Sequence, residues 1–170
     1  MLAVVRGEKY VTNFKRGEKG RSRHIQGRSR CRNPWPRLYE YIGGVIHASR
    51  GNSDAATASA NRALRLSPFD SVAFLAHSAL GDVAIHEARY DEAASCFAKA
   101  VQASPRFSLY YFFQAAALAL AGRAEEARPI VGQLLELEPT FRSSAIFEHG
   151  LTRAVVDKLI EGARLLGLPE

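Results

Sequence analysis

Two cysteines, one methionine and one tryptophan are all that the 170 residues supply of those types, and the chain lacks long apolar runs and catalytic signatures as well. Cys31 and Cys96 lie far apart and form no close metal-ligand pair, so they read as two free thiols and not as zinc ligands or a disulfide. Asp, Glu, Arg or His interrupts every Ala/Leu-rich stretch before about eighteen apolar residues accumulate, which excludes a membrane-spanning helix. The opening MLAVVRGEKY turns charged after a short apolar patch, too short for a secretory leader. A cytoplasmic location and no membrane contact are the expectation. HExxH, GxSxG, GxGxxG and GKS/T patterns are all missing. No enzyme activity, cofactor, catalytic residue or metal site is therefore expected. His47, His77 and His86 do not change this, because only the last two can share a helix, and nine positions is a poor ligand spacing.

What the chain does have is a hydrophobic content of 47%, enough for a real core. Its charge is uneven. Residues 1–37 hold eleven Lys or Arg against two Glu, whereas the rest carries twelve basic against fifteen acidic residues. The net +6 thus belongs to the N-terminal arm. Residues 1–35 are basic and rich in Gly, Arg and Ser, with breakers in GEKG, QGRSR and NPWP, and no helical period runs through them. This arm reads as irregular or disordered. Its stretch KRGEKGRSRHIQGRSRCR (15–32) either attracts nucleic acid or another anionic surface through phosphate-type charge pairing, or has no specific role.

Beyond the arm the text becomes helix after short helix, and it repeats. RGNSDAATASANRALRLSP (50–68), ARYDEAASCFAKAVQASP (88–105) and AGRAEEARPIVGQLLELEP (121–139) align under one another. Pro105 and Pro139 are 34 residues apart, and Pro68 precedes Pro105 by the same unit with three residues added. Ala56, Ala93 and Ala127 share one position, and Ala63, Ala100 and Leu134 share another seven residues later. Small side chains there let antiparallel helices approach closely. Gly44 and Gly81 serve the same purpose in the first helices, with Ala115 in the third unit. Each proline follows the last periodic residue of a second helix, where its missing N–H and fixed φ end the helix cheaply. Tyr90 stands before an Asp-Glu-Ala helix start, placed to wedge between units.

This spacing predicts helices over 36–49 and 52–66, 70–87 and 90–103, and 107–121 and 124–136. Three hairpins thus occupy residues 36–141. Pro129, inside the last of them, should cost stability or bend the helix start. Residues 142–170 read as a linker and a capping helix near 152–166, with Val155, Leu159, Ala163 and Leu166 on one side, covering the open end of the stack. The fold class is all-α, a solenoid of helical hairpins.

The period and its residues resemble the tetratricopeptide repeat. Leu80, Gly81, Tyr90, Ala93, Phe97, Ala100 and Pro105 fall in the expected places of one unit, and Gly122, Ala127 and Pro139 in the next. Ala84, Ala124 and Val131 depart from it where aromatics are usual. A narrower likeness, carried by RALRLSPFDSVAF (62–74), QASPRFS (102–108) and LIEGARLLGLPE (159–170), is to the C-terminal repeat region of bacterial class III adenylate/guanylate cyclases and related winged-helix regulators. It implies a regulatory module detached from such a parent.

The resemblance implies a non-catalytic scaffold holding a protein or peptide in a concave groove lined by the first helices, with a homodimer as a further partner. Exposed groove candidates are Glu40, His47, His77, Asp82, His86, Tyr111 and Gln114. Leu75, Ser78, Ala79 and Asp82 stand where some family members grip a C-terminal carboxylate, and they supply no cation. The alternative function is a nucleic-acid-associated accessory protein using the arm. Phe107, Tyr110, Tyr111, Phe112 and Phe113 are too dense for one buried stripe and belong either to the inter-repeat core or to a partner or dimer surface. The acidic pairs 91–92 and 125–126 sit in first helical turns, where they complement exposed N–H groups.

Overall fold

A computed structural model describes residues 35–67 and 71–169. The arm up to residue 34, with Cys31, lies outside the described residues, as does Pro68. Among the described residues there is no strand, and the elements run α1 (Trp35–Ser49), α2 (Ser53–Leu66), α3 (Ala73–His86), α4 (Tyr90–Ala103), α5 (Ser108–Leu120), α6 (Ala124–Leu137) and α7 (Arg153–Leu165). A 3-10 segment, Ser143–His149, precedes α7. Each expected helix is present, and no end is displaced by more than three residues. The 3-10 segment is the one element that the hydrophobic period did not announce, because so short a stretch carries no period of its own.

The helices pack as three antiparallel hairpins, α1 with α2, α3 with α4 and α5 with α6, each second helix also lying against the first helix of the next unit. The small positions sit at the seams as their spacing requires. Ala56, Ala93 and Ala127 are fully buried, and so are Ala63, Ala100 and Leu134. A Cβ on Gly44 would stand 3.5 Å from the methyl groups of Ala60 and Ala79. At Gly81 a Cβ would approach the Phe97 ring to 2.5 Å, so this glycine is what admits the ring. The acidic first turns of α4 and α6 are joined by Arg123, which pairs with Asp91 at 2.8 Å and Glu126 at 2.7 Å. These bridges are exposed and contribute little to stability. Pro129 lies on the solvent side of α6, which continues through it.

In every hairpin one residue of the turn is left-handed: Gly51 at φ 71°, Ala88 at φ 56° and Gly122 at φ 77°. Ala88 alone has a Cβ to accommodate there, at a cost of roughly 1–2 kcal/mol. Ala88→Gly should therefore stabilise the fold by about 1 kcal/mol. Thermal unfolding reads this as a rise of a few degrees, and an unchanged or lower midpoint would show that the turn is unstrained.

The dense aromatic run is resolved largely in favour of the core. Tyr110, Phe112 and Phe113 are buried, Tyr111 is half-buried, and Phe107 is exposed. Among the described residues, α1 carries an exposed apolar stripe in Tyr39, Ile42 and Ile46. Cys96 is a buried free thiol on α4, and burial pushes it above its ordinary range.

Candidate functional site

The first helices of the hairpins, α1, α3 and α5, form one face, and the C-terminal segment folds back across it. Thr152 caps α7 by accepting from the Val155 N–H at 3.4 Å. Its methyl group stands 3.8 Å from where a Gly51 Cβ would be. Further along, α7 lies against α5 and to a lesser degree α3, whereas α6 contributes little. Gly162 permits this contact, since a Cβ there would meet the Ala116 carbonyl oxygen at 2.6 Å. Val155, Val156, Leu159, Ile160 and Ala163 are buried as a result, while Leu166 is only partly covered. α7 thus caps the last hairpin through its first helix, α5, and Leu135 and Leu137 of α6 stay exposed. The small residues of α5 explain the choice, because they let a helix with its own glycine approach the backbone. The Ser143 N–H and hydroxyl both donate to the Pro169 carbonyl, at 2.9 and 3.1 Å, and tie the end of the segment to its beginning.

Where α7 does not cover the face, a cavity of about 150 Å³ remains. Its walls come from α1 (Val45), α3 (Leu75, Ser78, Asp82) and α5 with its preceding turn (Phe107, Leu109, Tyr110, Phe113), and His149 and Leu151 roof it. Asp82 was expected to be exposed; it is buried, at 5% exposure. Its Oδ1 has no hydrogen-bond partner. Burial pushes the carboxyl up to about 8. Tyr110 is pushed up to about 12, chiefly by burial, with the Ser78 hydroxyl opposing and the Asp82 charge adding to the rise.

Of the seven groove candidates, Asp82 alone lines this cavity. Glu40 turns to α2 and pairs with Arg62 at 3.2 Å. His77 is half-buried, and burial followed by the Lys99 charge holds its imidazole below the usual range. The Tyr111 hydroxyl donates to the Pro105 carbonyl at 2.9 Å, which ties it to its own turn. His47 and Gln114 are half-buried, and His86 is exposed at the end of α3. Phe107, Tyr110 and Phe113 of the aromatic run line the cavity, as do Leu75 and Ser78, whereas Val45, an apolar residue of α1, carries no signal in the sequence that marks it. Among the described residues no group of three His, Cys, Asp or Glu could hold a metal ion, and no helix is long and apolar enough to cross a membrane.

Residues 76–107 match the family "Tetratricopeptide repeat". The solved structure of MamA MSR-1 C2 is 17% identical, with 76% of this chain and 96% of that chain covered and a TM-score of 0.42. No curated protein matches. The match at 76–107 lies within the helical-hairpin stack, and the described residues have an all-α helical-repeat fold similar to that of tetratricopeptide-repeat proteins.

Proposed function

We propose that this chain is a non-catalytic scaffold that holds a protein or peptide partner on the face built by α1, α3 and α5, with residues 36–141 as the hairpin module and 142–170 as its cap. The observation that carries this reading is the cavity, whose walls come from all three first helices at once. Stacked helical hairpins present such a composite surface to an extended segment or a helix. The groove set Glu40, His47, His77, Asp82, His86, Tyr111 and Gln114 narrows in this proposal to Asp82 and its cavity neighbours. The partner engages what the C-terminal segment leaves open.

Charge placement favours a protein partner over nucleic acid. Arg62, Arg89, Arg123, Arg128, Arg153 and Lys158 are each ion-paired with carboxylates, so these positions form no basic ridge. The arm, which carries the nucleic-acid alternative, lies outside the described residues. The likeness to cyclase and winged-helix regulator repeats rests on sequence segments alone and makes a regulatory parent part of this proposal. A homodimer would find its apolar surface on α1, at Tyr39, Ile42 and Ile46, and not on α5.

Affinity capture with the full chain tests the scaffold. A protein retained by the wild type should be lost with Leu75→Glu, which alters the cavity wall, and kept with Leu135→Glu on the far side of α6, circular dichroism confirming that both variants fold. Loss on the α6 variant with retention on the α3 variant would move the binding surface elsewhere.

A further inference from the structure

A buried carboxyl usually faces a cation or a set of donors, because leaving a polar group unpaired away from water costs free energy. Asp82 has neither at Oδ1, and no Lys or Arg lines its cavity. Phe107, Tyr110 and Phe113 supply rings to its walls beside Val45, Leu75, Leu109 and Leu151, and Ser78 and His149 are the other polar residues there. Phe107 and Tyr110 stand with ring centroids 4.8 Å apart, and Tyr110 and Phe113 6.3 Å apart. Phe107, at 42% exposure, marks the mouth, and Asp82 is the buried end. Aromatic faces attract a desolvated cation through the ring quadrupole. A cavity of about 150 Å³ takes a group about the size of benzene.

We infer that this cavity is a recognition site for the primary ammonium of a lysine side chain on the partner, with the Asp82 carboxylate at its buried end accepting from the ammonium and the rings of Phe107, Tyr110 and Phe113 in the surrounding wall. The inference rests on the scaffold reading and gives that face its ligand chemistry. An ammonium fits better than a guanidinium, because a guanidinium fork engages both carboxylate oxygens and Oδ1 is sealed away from solvent. A primary ammonium fits better than a quaternary one, which has no N–H to give the carboxylate. The methylenes of lysine lie along Leu75 and Phe113. Burial holds the Asp82 carboxyl up at about 8, and an ammonium beside it would favour the ionised form.

The full chain, labelled at its methyl groups, is titrated with Nα-acetyl-lysine methylamide while the Leu75 and Val45 resonances are followed by NMR. Saturable shifts are expected, at least tenfold weaker with the uncharged norleucine analogue and at least tenfold weaker in Asp82→Asn. The arginine analogue should also bind less well. Equal binding to Asp82→Asn, or equal binding of the norleucine analogue, would overturn the assignment, as would the absence of saturable shifts in the folded wild type. Tighter binding of n-butylammonium than of the lysine probe would also overturn it, making the ligand a free amine. These probes need no partner protein, so their failure leaves the capture experiment to decide the scaffold reading independently.

Discussion

Phe97→Ala should lower the unfolding free energy by about 3–5 kcal/mol, the range for removing a fully buried aromatic ring. Phe97 has no solvent exposure and lies on α4 with its ring at Gly81 of α3. It also meets Phe113 of α5 at 5.2 Å between centroids. One side chain therefore closes its own hairpin and joins it to the next. Urea unfolding followed by circular dichroism measures the loss, and a change under about 1 kcal/mol would show that the ring is not the seam. Gly81→Ala presses on the same ring from the other side and should cost about 1–3 kcal/mol. Because the two positions touch, the double variant Gly81→Ala, Phe97→Leu should lose less than the sum of the single changes.

Asp82→Asn should stabilise the fold by an amount that grows with pH. Burial raises the Asp82 carboxyl from 3.8 to about 8. Below pH 4 the folded and unfolded chains both hold its proton. Between about 4 and 8 the folded chain keeps a proton that the unfolded chain has released, so this group's contribution to stability falls as pH rises, at roughly 1.4 kcal/mol per pH unit. Above 8 both states are ionised and the loss stops growing. Asparagine removes the titration. Unfolding at pH 5 and pH 8 should show the wild type losing several kcal/mol more than the variant across that interval. His77, whose lowered value makes stability rise with pH through its own range, is common to both proteins and cancels. Parallel pH profiles for the two proteins would mean that Asp82 is solvated in the folded state.

The helices, their order and their seams were legible because each rests on local chemistry or on a repeated pattern. Alanine at three equivalent places, proline after each second helix and glycine in two of the three turns state the hairpin three times over. The third turn, at Ala88, has no such signal, since alanine is held at φ 56° by the packing of α3 on α4 and not by preference. The 3-10 segment was hidden for a related reason. It is held through Ser143 and Pro169, residues far apart in sequence. The groove candidates were chosen as polar residues on first helices, a rule that finds exposed charge and misses a cavity whose walls are Leu75, Phe107 and Phe113.

The order of the amino acids by itself determined the all-α repeat, its three hairpins and the small residues along their seams, because helical period, terminators and close-packed positions are properties of a short stretch of chain. Tertiary structure decided where α7 goes and what Asp82 faces. Both depend on the fit between segments brought together only by folding: Gly162 against Ala116, and three first helices around one carboxyl. A helix with an apolar stripe can cover any matching face, and the one it covers is settled by how closely two backbones can approach.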